Sequence, residues 1–380
     1  MSKAHNLIPW YDGNRPPYNI YIKEHDMIQT IIGNPDYIKQ FKNKKAIFML
    51  AMSNTATANI EGITQAGIPG SIYLTPVLDG EFIATGEVRS MPDVAETPKG
   101  VPTPALITRG VHLLSAFSHI ELLDLGLEVQ PKGDDITIHH HGIHPSQSIA
   151  EGANIDAQAL FEKALAFGKA YICKDDYLIL GESVPSGTTT ATATALALGY
   201  DAKALFSSSF KDVPNNIRQE TIDNALENVK GKTELFEILS SVSDNMLIFN
   251  AGFVLGVNGR FPMVLAGGTQ MACVLLVVNS YLASKGQIQD LPLRNVALCT
   301  TKWVAEDEHS NIKALLEMLD FPIDAYYTDF DFSLSNHPAL KLYDEGEAKE
   351  GVGAGGALMY GVLNGLSKEE ITRQVEGFLG

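Results

Sequence analysis

Residues 177–199 read YLILGESVPSGTTTATATALALG, and the order of residue types in this stretch decides the fold. Tyr177–Leu180 is a short apolar run with the length of a buried strand. Gly181–Gly187 is turn-rich, bounded by glycine and containing Pro185. Thr188–Leu198 is built from Thr, Ala and Leu and reads as a helix, with Gly199 as its stop. Ala191, Ala193, Ala195 and Ala197 let such a helix lie close against a sheet. Strand, loop and helix in that order put the unpaired first N–H groups of a helix at a strand end, where the dipole is positive. Thr188, Thr189 and Thr190 add hydroxyls there. Such an end attracts a phosphate. An ordinary crossover with a Thr-capped helix carries the same pattern, because glycine-rich loops alone are weak motifs. A Walker loop is excluded, since Gly187 stands where that loop needs Lys.

The plan recurs downstream. Phe261–Ala266 reads as a buried strand that runs into Gly267, Gly268, Thr269 and Gln270, then into an apolar helix, Met271–Ala283. Two such ends on neighbouring strands could share one phosphorylated ligand, outside the carboxyl ends of a parallel sheet. Further strands are expected at Ala46–Met52, Ser71–Pro76, Ile120–Val129, Asn295–Thr300 and Ala325–Phe332. Helices are expected at His25–Ile32, Pro104–Phe117, Ile155–Tyr171, Asp212–Gly231, Glu234–Ser241 and Asp244–Leu255. Gly168 weakens the last turn of the Ile155–Tyr171 helix. Strands alternating with helices give an α/β fold with a parallel sheet. Residues 84–104 form a long loop, either a binding loop or a surface excursion.

Composition narrows the function. The 380 residues are 45% apolar, enough for a sizeable core. With 45 acidic and 28 basic residues the formal net charge is −17. That disfavours nucleic acid and anionic membrane as partners, because both need cationic surface. Cys173, Cys273 and Cys299 lie far apart in sequence, which argues against a disulfide framework or zinc site and for a reduced, cytoplasmic compartment. The N-terminal residues lack a signal-peptide core. Met263–Ala283 is apolar but broken by Gly267–Gln270, so it reads as strand plus helix and not a membrane span.

Two further clusters carry chemistry. His139, His140, His141 and His144 could bind a metal, but no carboxylate or Cys accompanies them at ligand spacing. A solvated turn is the expectation. Near the carboxyl end, Glu350 precedes Gly351, Gly353, Gly355 and Gly356, with a helix from Ala357. A carboxylate beside a glycine loop that admits close backbone approach to a ligand can act as a general base once partly buried. A flexible acidic loop would look the same. A dinucleotide fingerprint fits poorly, since acidic and polar residues precede Gly351 instead of a strand.

Gly181-Glu182 with Thr188-Thr189, Gly267-Gly268, and Glu350-Gly351-Val352-Gly353-Ala354 together resemble the nicotinate-nucleotide:dimethylbenzimidazole phosphoribosyltransferase family, in its divergent archaeal and cyanobacterial branch. The resemblance runs from about Ala46 onward. It implies a Rossmann-like parallel sheet flanked by helices, with a smaller helical domain from both chain ends. The large α/β domain would span 40–335. Residues 1–39 plus 336–380 would form the small domain carrying the glutamate loop. It also implies a homodimer, no cofactor and no metal, and transfer of phosphoribose from nicotinate mononucleotide to a benzimidazole-type or related heterocyclic base in cobalamin nucleotide-loop assembly. Glu350 matches the family's catalytic base and Glu182 its second glutamate. The substrate-binding set becomes Gly181, Ser186, Gly187, Thr188, Thr189, Gly267, Gly268, Thr269, Gly351 and Gly353. The chain departs from the family pattern where Val184 and Ser186 replace two loop glycines, where Gly187 replaces an Asn, and where Ser53-Asn54-Thr55 replaces an Asp-His-Gly segment. A nucleotide-binding protein without turnover, or a transferase for another base, are the alternatives.

Overall fold

The buried runs line up side by side. The computed structural model describes residues 27–208, 210, 215–288 and 293–380. Among these, eight strands form one sheet: β1 (Ile28–Ile32), β2 (Ala46–Met52), β3 (His119–Asp124), β4 (Thr137–His140), β5 (Tyr177–Ser183), β6 (Met263–Ala266), β7 (Val296–Thr301) and β8 (Asp324–Thr328). Their order is β1-β8-β7-β6-β5-β2-β3-β4. All neighbours are parallel except β1, the edge strand, which lies antiparallel on β8. From β2 the chain steps outward to β3 and β4, then returns to β5 on the other side of β2 and proceeds to β8. The direction of winding therefore reverses between β2 and β5, where Leu50 faces Gly181 and Met52 faces Ser183. In such sheets the crevice beyond the strand ends at this reversal is where ligands sit.

The helices are α1 (Thr75–Thr85), α2 (Ala105–Leu114), α3 (Ala157–Ala170), α4 (Gly187–Ala197), α5 (Asn215–Glu227), α6 (Leu235–Val242), α7 (Asn245–Val257), α8 (Thr269–Ser284), α9 (Lys302–Ala305), α10 (Ile312–Leu316), α11 (Pro338–Asp344), α12 (Ala354–Leu363) and α13 (Lys368–Glu376). Successive strand residues point to opposite faces, so the sheet separates two cores. On one side Met49, Leu180, Leu265 and Leu298 meet α3, α4, α7, α8 and α10. On the other Phe48, Ile179, Val264 and Ala297 meet α1, α2, α12 and α13.

Several expectations are corrected. Ile28–Ile32 is an edge strand, not a helix; its β-branched residues pair with β8, while His25 and Asp26 lie outside the described residues. Ser71–Pro76 is not a strand but a turn leading into α1, with Pro76 in the first turn, where its missing N–H costs nothing. From Thr75 to Ile83 every residue of α1 is buried, so no polar face marked the helical period. The strand at 177 runs on to Ser183, shortening the loop to residues 184–186. The strand at 120 ends at Asp124, whose carboxylate caps the turn by accepting from the Gly126 and Leu127 amides. Gly168 lies inside α3 because α3 and α7 touch backbone to backbone. A Cβ on Gly168 would come 2.6 Å from the Phe253 carbonyl, and one on Gly252 2.4 Å from that of Phe161. No helix among the described residues is long and apolar enough to cross a membrane.

Candidate functional site

The ends of β5 and β6 open into a cleft with about 940 Å³ of empty space, open solvent included. Ser183 ends β5, and the chain turns through Val184, Pro185 and Ser186 into α4. Ser186 adopts φ +64°, the left-handed region that glycine favours. The loop thus keeps a glycine-like bend although Ser stands there. In the first turn of α4, the amides of Gly187 and Thr189 donate to the carbonyls of Val184 and Ser186 at 3.0 and 2.8 Å. The expected cradle of free amides is therefore partly occupied by turn bonds. Thr188 faces the cleft, whereas Thr189 is buried behind it and Thr190 donates to the Gly187 carbonyl and to Asp244.

α8 begins beside α4, with Gly268 as its N-cap. The Thr269 hydroxyl accepts from the Ser207 amide at 3.2 Å. Beneath both sits Arg218 of α5, absent from the sequence-derived set. Its guanidinium donates to the Thr192 hydroxyl at 2.9 Å and to the carbonyls of Thr188 and Ser207 at 3.3 Å. Burial pulls it down to about 10, so it remains a cation at neutral pH. It places the positive charge of a guanidinium under the wall where an anion would rest, which suits anion binding.

Glu350 stands across the cleft at the start of α12. Its Oε2 accepts from the Thr301 amide at 2.9 Å and the Thr300 hydroxyl at 3.2 Å, and its Oε1 from the Gly351 and Gly355 amides at 3.2 and 3.1 Å. Burial nevertheless pushes its carboxyl up to about 7, against the lowering by those donors. Glu182 is buried more deeply, and burial followed by the charges of Glu350, Asp244 and Asp79 pushes it up to about 8. The two glutamates are tied through the backbone: the Val352 amide donates to the Glu182 carbonyl at 2.8 Å. Val352 has φ +56°, a strained value for a β-branched residue, and its carbonyl is held by the Thr108 hydroxyl at 2.8 Å.

Gly355 and Gly356 of this loop, and Gly181 on β5, serve packing. A Cβ on Gly355 would stand 2.3 Å from the Thr300 backbone, on Gly356 2.4 Å from Ala266, and on Gly181 3.0 Å from Gly353. They let α12 lie directly on the strand ends. Of the residues named from sequence, Glu182, Ser186, Gly187, Thr188, Gly268, Thr269, Glu350 and Gly351 line the cleft. Gly181, Thr189, Gly267 and Gly353 support it from behind.

The remaining wall comes from segments outside the residues named from sequence. Thr64–Gly67, residues 95–97 and residues 101–104 all line the cleft, so part of the long 84–104 loop is a wall of the site. Asp79 of α1 accepts from the Ser183 and Thr103 hydroxyls, each at 2.7 Å, and fastens that loop to the end of β5. Lys99 pairs with the buried Glu347 at 2.6 Å, tying the same loop to the segment that carries Glu350.

The histidines lie apart from this cleft. His139 and His140 are on β4, not in a turn, and each meets a carboxylate from β3: Glu121 at 2.7 Å and Asp124 at 3.1 Å. Adjacent strands supply the acids that sequence spacing did not show. Among the described residues no group of three or more His, Cys, Asp or Glu is placed to hold a metal ion.

No protein-family model matches the chain. It is 32% identical to a UPF0284 protein of Sulfurisphaera tokodaii over 338 residues, 88% of this chain and 93% of that one. A UPF0284 protein of Saccharolobus islandicus is 31% identical over 363 residues, covering 94% and 97%. Among solved structures, nicotinate-nucleotide-dimethylbenzimidazole phosphoribosyltransferase of Thermus thermophilus superposes with a TM-score of 0.56 at 15% identity, over 93% of both chains. A second structure, CobT of the same organism, gives 0.54 at 15% identity, over 93% of this chain and 94% of that one. That likeness is one of fold.

Proposed function

The chain belongs to the UPF0284 family, and from that footing we propose that it is a phosphoribosyltransferase. It moves phosphoribose from nicotinate mononucleotide to a benzimidazole-type or related base. The observation that carries the reading is Glu350: a carboxylate with four donors on it, facing the cleft opposite two helix starts.

The donor's phosphate rests against the starts of α4 and α8, with Thr188, Thr269 and the Arg218 charge beneath. The anomeric carbon then lies toward Glu350. A ring nitrogen of the incoming base forms a bond to that carbon from the face opposite the nicotinate. The bond to nicotinate breaks, and its electron pair neutralises the pyridinium ring. Holding the two reactants in line supplies much of the acceleration. The proton on the base's other nitrogen passes to Glu350, a contribution of about 10²–10⁴-fold. A carboxyl pushed up to about 7 is well matched to take a proton near neutral pH. Glu182, pushed up to about 8, is protonated there and so brings no charge to repel the phosphate. It orients a ribose hydroxyl or the loop. The functional unit is a homodimer.

Incubating the protein with nicotinate mononucleotide and a panel of bases tests this. Release of nicotinate that depends on the base supports transfer. Binding of the nucleotide with no release from any base would instead mark a binding protein.

A further inference from the structure

Among the described residues, two polar atoms in the cleft wall have no partner. Ser186 is only 5% exposed, and its Oγ makes no hydrogen bond. The amide oxygen of Gln270, in the first turn of α8, is buried and unpaired as well. Both residues line the cleft. Gln270 sits against Gly187, the residue after Ser186, where a Cβ would fall 1.9 Å from Gln270 Oε1. The resembling loops carry Asn at that position. Here its side chain is missing, and an amide from α8 occupies the space.

We infer that Gln270 is a specificity-determining residue whose amide oxygen accepts a hydrogen bond from a sugar hydroxyl of the bound nucleotide. The inference rests on the phosphoribosyl reading of the cleft. An amide oxygen only accepts, so its partner must bring an O–H or N–H. The phosphate dianion brings neither, and nor does a nicotinate ring with its ionised carboxylate. The ribose hydroxyls are the donors left on that molecule. The last torsion of a Gln side chain is broad, and turning it carries the oxygen from Gly187 into the cleft. Ser186 Oγ, able both to donate and accept, lines the same cleft.

The test is calorimetric titration of the full chain with ribose 5-phosphate, 2-deoxyribose 5-phosphate and 3-deoxyribose 5-phosphate. The wild type is expected to bind ribose 5-phosphate about tenfold more tightly than one of the deoxy sugars, the factor worth one modest hydrogen bond. Gln270→Leu removes the acceptor while keeping a side chain of similar size. The variant is expected to bring that ratio close to one with a Tm near that of the wild type, which also shows that it folds. A wild type that does not discriminate, or a Gln270→Leu variant that discriminates as well as wild type, overturns the inference. If the phosphoribosyl reading alone is wrong, sugar discrimination persists in a protein that releases no nicotinate. If only this inference is wrong, nicotinate is released and the sugar ratio ignores Gln270.

Discussion

The molecule brings backbones together on glycine in two places, and the two are built differently. In the α3–α7 seam, Gly168, Gly252 and Gly256 let each helix touch the other's carbonyls, with none of the three in a left-handed conformation. In the cleft, Gly353, Gly355 and Gly356 seat α12 on the strand ends, but the surrounding chain is strained. Ser186 and Val352 hold positive φ, two polar side chains lack partners, and four buried acids sit above their ordinary range. Strain and unpaired groups persist where surrounding structure enforces them, and they concentrate at functional sites. The seam is arranged for stability, and under the proposed function the cleft is arranged for chemistry. Asn250, midway along α7, is buried with both amide atoms unpaired, and nothing in the structure accounts for it.

Changes in the two places should therefore have opposite signatures. The largest effect is expected in the cleft: Glu350→Gln should lower base-dependent nicotinate release by about 10²–10⁴-fold while leaving nucleotide affinity near wild type in the protein that still folds. Wild-type release should climb as pH rises through about 7, because the base must be ionised, and the variant should lose that climb. Next comes the seam. Gly252→Val has no room beside the Phe161 carbonyl, so it should cost about 3 kcal/mol in denaturant unfolding, with no selective loss of nucleotide binding in the protein that still folds. A loss of activity at unchanged stability would erase the distinction between the regions.

Glu182→Gln sharpens the contrast through pH. The folded state raises this carboxyl from 4.5 to about 8, so its stability contribution is complete below about pH 4.5 and is lost as pH rises through 8. The Gln variant should match wild type at pH 5 and exceed it at pH 8 by on the order of 2–4 kcal/mol, read from urea midpoints. The smallest effect separates two neighbours. Thr188→Ala should weaken nucleotide binding about tenfold by removing a hydroxyl from the phosphate, whereas Thr189→Ala, buried behind the wall, should leave affinity unchanged. Equal losses would move the phosphate off this face.

Much of this was legible in the sequence where local chemistry repeats. Apolar runs ending in glycine and a hydroxyl marked β5 and β6, and Glu350 stood out as an acid beside glycines. Legibility failed where the environment, not the local pattern, set the structure. α1 is buried all round and has no polar face to betray a helix. β1 acquires its conformation from pairing with β8, nearly 300 residues away. Asp79 reaches the cleft, and Arg218 its supporting wall, from helices distant in sequence with no motif around them, and the acids facing His139 and His140 arrive from the next strand. The glycines after Glu350 stood out for approach to a ligand, and the approach of Gly355 and Gly356 to the sheet had no mark in the local pattern.

A crystal structure of the protein with nicotinate mononucleotide bound tests the central claim most directly. The account predicts the phosphate within hydrogen-bonding distance of Thr188 and the start of α8, with the anomeric carbon turned toward the Glu350 carboxylate. A phosphate bound outside the cleft, or an anomeric carbon facing away from Glu350, would contradict it.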